Sequence, residues 1–302
     1  MDGTLDSTLD NRHWDNLLGR IQDGKCTPFL GAGINEGVLA IGPDIARKLV
    51  EKYDGYPFKD SSNLARVAQV LAINRDAMFP KEEVLKLLKE QLEKWKKNVE
   101  VEDFFKSPDQ PLSILANLPL PIYMTTNYDN LMVKALEYRQ KDPRRELCRW
   151  NKHVKLKKPS VFDSASGFEA TPANPIVFHL HGHDEVPESL VLTEDDYIDF
   201  LVNLSKQQDL LPLRIQEAMT GASLLFIGYR LADLDFRVLF RGLVENLNKS
   251  LRRISVAVQL PPEDSEQQKY WVEYFDKMEV KVYWGEAANF VTELRNRWSE
   301  FT

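Results

Sequence analysis

The chain is 302 residues long, 43% hydrophobic and 28% charged, with a formal net charge of −7. That length holds one large α/β domain or two modest ones, and the acidic balance argues against direct nucleic-acid binding. Two cysteines, Cys26 and Cys148, exclude a disulfide framework and a four-thiolate zinc module. No apolar leader occupies Met1–Asp10 and no apolar run approaches the ~18 residues of a membrane span, so no membrane association and a reducing cytoplasm are expected.

From Asn11 to Lys25 the apolar residues Trp14, Leu17, Leu18 and Ile21 recur at helical spacing, with Gly24 at the stop position. The run Thr27-Pro28-Phe29-Leu30 then reads as a strand opening into Gly31-Ala32-Gly33-Ile34-Asn35. Glycines at such a turn let backbone approach a bulky anion, and a helix starting just beyond would point free N–H groups at it. Gly37 comes one residue late for a G-x-G-x-x-G fingerprint, and no ribose-binding acid follows on a second strand. Pro43 to Val50 reads as a helix with proline at its first position.

Residues 61–118 carry helical periodicity through Leu64, Val67, Ala68, Leu71, Val84, Leu88, Leu92 and Trp95, and are expected to form a helical insertion or small lobe. Its charges alternate in sign between Lys81 and Glu102, the pattern of a solvated face. Pro121 to Thr126 is a compact strand running through Asn127-Tyr128-Asp129-Asn130 into a helix at Leu131. Residues 141–175 show no period and read as a loop with short strands.

Pro175 to Gly182 forms a further buried strand ending in His179-Leu180-His181-Gly182. Leu190 to Thr193 reads as a short strand, with Thr193 capping a helix at Glu194-Asp195-Asp196. Ala222 to Arg230 is another strand and turn, leading into a helix from Asp233 to Asn248. The strand Ile254–Leu260, the helix Glu263–Met278, the strand Val280–Trp284 and a terminal helix from Ala287 complete the alternation. The pattern predicts one α/β domain over residues 1–302: a Rossmann-like parallel sheet with helices on both faces, plus the helical insertion.

Three strand ends therefore carry polar groups: Asn127 with Asp129, His181, and Gly228 with Arg230. Ligands of open α/β sheets collect at such carboxyl edges. Each residue also has a structural reading, His181 as a hydrogen-bonded strand end and Asn127 as a helix cap. His179 shares the strand face of His181 and points partly into the core, His183 lies past the turn, and the His-x-His-x-His spacing also admits a metal-ligand run.

Taken in order, G-A-G-I-N at 31–35, T-T-N-Y-D at 125–129, H-L-H-G at 179–182 and F-I-G-Y-R-L-A-D-L-D-F-R at 226–237 resemble the sirtuin superfamily. The likeness is strongest to its bacterial sirtuin-like defence proteins and spans residues 26–245. It implies NAD as the substrate, with the pyrophosphate at Gly31, Ala32 and Gly33, flanked by Ile34 and Asn35. It implies catalytic roles for Asn127 and His181, and cofactor contacts from Thr126 and from Asp129, which matches the family's acid near the nicotinamide pocket. Gly228 would lie on the adenosine side with Tyr229 and Arg230. Pro43-Asp44 resembles the family's P-D pair and places Asp44 in the binding set, although Ile45 replaces the aromatic residue that follows.

The zinc module of the protein deacylases is missing, so the resemblance implies the NAD-cleaving half alone: a metal-free hydrolase releasing nicotinamide and ADP-ribose in anti-phage defence. Ordinary glycoside hydrolysis needs an acid for the leaving oxygen, whereas the cationic nicotinamide of NAD departs neutral. One base and one positioning amide suffice. His181, with a pKa expected near working pH, would polarise a ribose hydroxyl or water that Asn127 orients, and Asp129 would hold the nicotinamide or stabilise the ribosyl cation. An ungated enzyme of this kind would poison its own cell, so control by homo-oligomerisation or by a partner such as a HerA-like ATPase is expected. The alternatives are a zinc-free deacylase or ADP-ribosyltransferase, and a non-catalytic module that binds NAD or ADP-ribose for sensing or assembly.

Overall fold

Runs such as Cys26–Leu30 and Ser223–Ile227 are buried along their whole length, as strands are when they pair in parallel and are covered on both faces. The computed structural model describes residues 9–155, 160–163, 166–206, 210–229 and 254–302. Its strands are β1 (Cys26–Leu30), β2 (Ile122–Thr125), β3 (Arg144–Leu147), β4 (Ile176–His179), β5 (Ser223–Ile227), β6 (Ser255–Gln259) and β7 (Val280–Trp284). Among the described residues these seven form one sheet in the order β3-β4-β2-β1-β5-β6-β7, with every pairing parallel. The Rossmann-like expectation holds. The chain order reverses across β1, between β2 and β5, which is where a doubly wound sheet opens a crevice.

The helices of the first half are α1 (Asn11–Gln22), α2 (Gly42–Lys52), α3 (Leu64–Asn74), α4 (Phe79–Lys96), α5 (Val101–Lys106), α6 (Pro111–Asn117) and α7 (Leu131–Tyr138). After them come α8 (Lys152–Lys155), α9 (Glu194–Lys206), α10 (Leu213–Thr220), α11 (Ser265–Asp276) and α12 (Ala287–Phe301). Alternation along each strand divides the side chains between two cores. Leu225 and Ile227 of β5 join Leu30, Trp14, Leu115 and Phe290 on the face covered by α1, α6, α7 and α12. Leu224 and Phe226 join Phe29, Phe178, Phe200 and Phe275 on the face covered by α9, α10 and α11. Trp14 and Phe290 stack with centroids 5.3 Å apart, and burying each ring of this size contributes about 1.5–3 kcal/mol.

The predicted helical stretch is helical and divides in two. α5 and α6 supply Phe105 and Leu115 to the first sheet core. α3 and α4 pack with α2 around Ile45, Leu49, Val67, Leu71 and Val84, and this third core also takes in Leu190 and Leu192 from the segment after β4. Three side chains of α3 and α4 pair with three consecutive acids of α9: Arg66 with Glu194 at 3.0 Å, Gln69 with Asp195 at 2.8 Å, and Lys81 with Asp196 at 2.9 Å. Lys81 is therefore buried, unlike the solvated face expected of its segment.

Of two further readings, one is met and one is corrected. Within 141–175, expected to be a loop with short strands, β3 is such a strand and a full member of the sheet, on its edge beside β4; its sequence Arg-Arg-Glu-Leu is charged, and charge is how edge strands are kept from pairing further. Leu190–Thr193 is not a strand. Its backbone bonds locally instead, the Val191 amide donating to the His181 carbonyl at 3.0 Å. The cap expected at Thr193 is present: its hydroxyl accepts from the Asp196 amide at 3.0 Å while the Asp196 carboxylate accepts from the Thr193 amide, also at 3.0 Å. The helix expected over Asp233–Asn248 lies outside the described residues. Among the described residues no helix is long and apolar enough to cross a membrane.

Candidate functional site

β1 leaves the sheet through the glycine turn, which folds as a short 3₁₀ segment, Ala32–Asn35. It lies directly against the end of β5. The Gly31 amide donates to Ile227 O at 2.9 Å and the Gly33 amide to Gly228 O at 3.0 Å. A Cβ on Gly31 would stand 2.6 Å from Gly228 O, and one on Gly228 would stand 2.5 Å from the Ile34 nitrogen. Gly228 also has φ +80°, where side chains are strained. The Gly31 and Gly33 amides are thus engaged by the β5 terminus, and the glycines permit a backbone-to-backbone crossing at the switch point.

Beside this crossing, the ends of β2 and β4 carry side chains. The register pairs Thr125 with His179, which brings the Asn127 and His181 segments out of adjacent strands. The Thr125 hydroxyl donates to Leu30 O at 3.0 Å and accepts from the Asn127 amide at 2.9 Å. Asn127 then donates through Nδ2 to Gly31 O at 3.1 Å, tying β2's loop to β1's. Asp129 accepts from Asn35 Nδ2 at 2.8 Å and from the Leu131 amide at 2.9 Å. Burial pushes its carboxyl up to about 6 against the lowering effect of the Leu131 amide and Arg145. Leu30, Ile34, Asn35, Leu112, Asn127, Asp129 and His179 are among the residues around a cavity of about 10 Å³, room for one water. Asn35 Oδ1 is buried and has no hydrogen-bond partner.

The two histidines of H-L-H-G part company, because β4 ends at His179 and strand alternation ends with it. His179 turns to the cavity, its Nδ1 2.8 Å from Asn127 O and its Nε2 accepting from Arg145 Nε at 3.1 Å. His181 turns to α9, its ring centroid 5.3 Å from Tyr197 and 5.4 Å from Phe200. Its Nε2 is buried without a partner. Burial brings its pKa down to about 3, so the expectation of a histidine titrating near neutrality is corrected: among aromatic neighbours the imidazole stays neutral. His183 sits 5.3 Å from His179, ring to ring. Among the described residues no group of three or more His, Cys, Asp or Glu is placed to hold a metal ion.

Gly31, Gly33, Asn35, Asn127 and Asp129 therefore lie within one hydrogen-bonded neighbourhood, with Ile34 on the cavity wall. Tyr229 joins it through its hydroxyl, 2.8 Å from Thr126 Oγ1 and 2.9 Å from Leu30 O. Ala32 lies on the turn. Asp44 stands apart, half-exposed in the first turn of α2 and paired with Arg47 at 2.6 Å. Arg230 lies outside the described residues. Sequence reasoning passed over Arg145, because the short strands expected within 141–175 had no periodicity to give them bounds. That side chain donates to Tyr128 O at 2.9 Å and Asp129 O at 3.1 Å and meets Asp184 at 2.7 Å.

An open parallel sheet whose chain order reverses across β1, with Asn127, Asp129 and His179 around a cavity at its carboxyl edge, defines a doubly wound α/β protein. The particular family follows from comparison. The SIR2-like domain matches residues 121–281, more than half of the chain, and the chain belongs to that family. Curated relatives named NAD(+) hydrolase ThsA are 32% identical over 122 residues in Cytobacillus dafuensis and 29% identical over 120 residues in Bacillus cereus (strain MSX-D12), each match covering 40% of this chain and 21% of the relative. A third, from Acinetobacter baumannii (strain 532279), is 25% identical over 128 residues, 42% of this chain and 23% of the relative. The chain thus spans about a fifth of the length of the curated relatives it matches.

Proposed function

We propose that the chain hydrolyses NAD+ at the nicotinamide–ribose bond, releasing nicotinamide and ADP-ribose. The observation that carries this reading is the buried acceptor left open on Asn35, Oδ1, on the cavity that Asn127 and Asp129 also line. An unsatisfied buried polar atom costs about 1–3 kcal/mol, and one on a residue that lines a cavity of a SIR2-like protein favours a ligand that completes it. The nicotinamide carboxamide offers N–H donors to Asn35 and Asp129; a ribose hydroxyl or water offers O–H to His181. Because the imidazole is held neutral, its role is to accept and orient that hydroxyl rather than to switch charge near pH 7. The leaving group is a cation that departs neutral, so a weak base and the Asn127 amide meet the demand. NAD serves as substrate, and no step calls for a metal.

The water-sized cavity supports gating, since a nicotinamide ring needs the loops around it to part. Opening through self-association, or through a partner such as a HerA-like ATPase, suits a defence effector that must stay silent until triggered. A second reading, binding of NAD or ADP-ribose without turnover, draws on the same closed cavity. Incubating the chain with NAD+, with and without a co-expressed partner, separates them: nicotinamide and ADP-ribose should appear and should vanish with Asn127→Ala or His181→Ala. Unchanged release by both variants would remove the assignment, and saturable binding with no product over hours would favour the second reading.

A further inference from the structure

We propose that Arg145 and His179 are positioning residues for Asn127, holding the β2 loop in place through a hydrogen-bond relay that runs from β3 across β4. The kinetic part of this inference rests on the NAD-hydrolase reading; the structural part does not. A guanidinium only donates, so the 3.1 Å contact from Arg145 Nε makes His179 Nε2 an acceptor. A neutral imidazole then carries its proton on Nδ1, which donates to Asn127 O at 2.8 Å. The guanidinium also takes up the next two carbonyls, Tyr128 O and Asp129 O, through Nη2. Three consecutive carbonyls of the loop bearing Asn127 and Asp129 are thus fixed by one arginine, the first through His179. Its remaining nitrogen, Nη1, meets Asp184 at 2.7 Å and Glu185 at 3.6 Å, on the loop that follows His181.

One side chain, only 11% exposed, therefore ties together the two loops that carry Asn127 and His181. Neither Arg145 nor His179 needs to touch NAD. Their effect passes through the placement of the Asn127 amide, where an error of about 1 Å costs about a hundredfold in rate.

The test uses the full chain with NAD+ and compares wild type, Asn127→Ala, Arg145→Ala, His179→Leu, His179→Asn and the Arg145→Ala/His179→Leu double variant. Histidine-selective ¹⁵N NMR runs in parallel. Each truncation should lower kcat by roughly 30-fold or more with KM changed less than about threefold. The double variant should fall no further than the worse single one, within about threefold. His179→Asn keeps an N–H at the Nδ1 position and should recover about tenfold or more over His179→Leu. In the ¹⁵N spectrum wild-type His179 should be the Nδ1–H tautomer, becoming mixed in Arg145→Ala. Losses that multiply in the double variant, losses confined to stability with kcat intact, or a wild-type Nε2–H tautomer would overturn the relay. If even wild type releases no nicotinamide, the hydrolase reading fails on its own, and the tautomer decides the relay, as it also does should a truncation not fold.

Discussion

The β1–β5 crossing and the β2–β4 edge are neighbours on one sheet, yet they treat their polar groups oppositely. At the crossing the Gly31 and Gly33 amides are bonded to Ile227 O and Gly228 O, and no room is left for a side chain. At the edge, the buried acceptor of His181 is left open, and Asp129 is held in a site that opposes its charge. The first region is built for the fold and the second tolerates disfavoured groups, which is where chemistry is expected. The glycines that look most like a ligand signature also serve the architecture.

The sharpest way to break this contrast is to add a methyl group at the crossing. Gly228→Ala would put a Cβ 2.5 Å from the Ile34 nitrogen and 2.7 Å from Gly31 O, at φ +80°. It should destabilise the chain by upward of about 3 kcal/mol in urea unfolding. Gly31→Ala, at 2.6 Å from Gly228 O, should follow, and Gly33→Ala, whose nearest contact is 3.1 Å, should cost least. A Gly228→Ala chain as stable as wild type but weak in NAD binding would return the crossing to a purely ligand-holding role.

The edge makes the opposite prediction, in acid. His181 has a folded pKa near 3 against 6.5 unfolded, so below 6.5 the unfolded chain binds a proton that the folded chain refuses. Its contribution to stability is whole above pH 6.5 and declines as pH falls toward 3, by about 1.4 kcal/mol per pH unit. Between pH 6.5 and 4.5 His181→Gln should remove up to about 3 kcal/mol of that decline. A residual slope should persist, because burial, Arg145 and His183 also hold His179 well below its ordinary value. Identical pH–stability curves for variant and wild type would mean that the ring is not desolvated.

The sheet was readable in the sequence because its strands are continuous apolar runs bounded by turn residues, and α1 and α2 because of Gly24 and Pro43. The short strands expected within 141–175 could not be bounded, since Arg144-Arg145-Glu146-Leu147 carries edge charge where a strand signal is sought, and Arg145 was passed over with them. Asn127, Asp129 and His181 could be assigned to strand ends from spacing alone. What spacing could not give was direction. That His179 faces Asn127 while His181 faces Tyr197 and Phe200 depends on β4 stopping at His179. Likewise, whether glycines at a turn admit a phosphate or another backbone depends on β5, almost two hundred residues away in the chain.

The smallest expected effect sharpens the comparison most, because it sets stability against activity at one atom pair. The Asp129 carboxyl sits at about 6 instead of 3.8, chiefly through burial. Its contribution is present below pH 3.8 and is lost as pH rises through 6, so the ionised group opposes folding at neutral pH. Asp129→Asn keeps an acceptor for the Leu131 amide and removes that charge. It should raise stability above pH 6 by on the order of 2 kcal/mol, after discounting for partial exposure, and leave it unchanged near pH 3.5. If the acid is retained for its action on a developing cation, the same variant should release nicotinamide about tenfold more slowly or worse. A chain that gains stability and loses turnover marks the strained carboxylate as part of the reaction; one that loses stability at pH 7 makes it another element of the scaffold, and the contrast between crossing and edge would then end at Asn127 and His181.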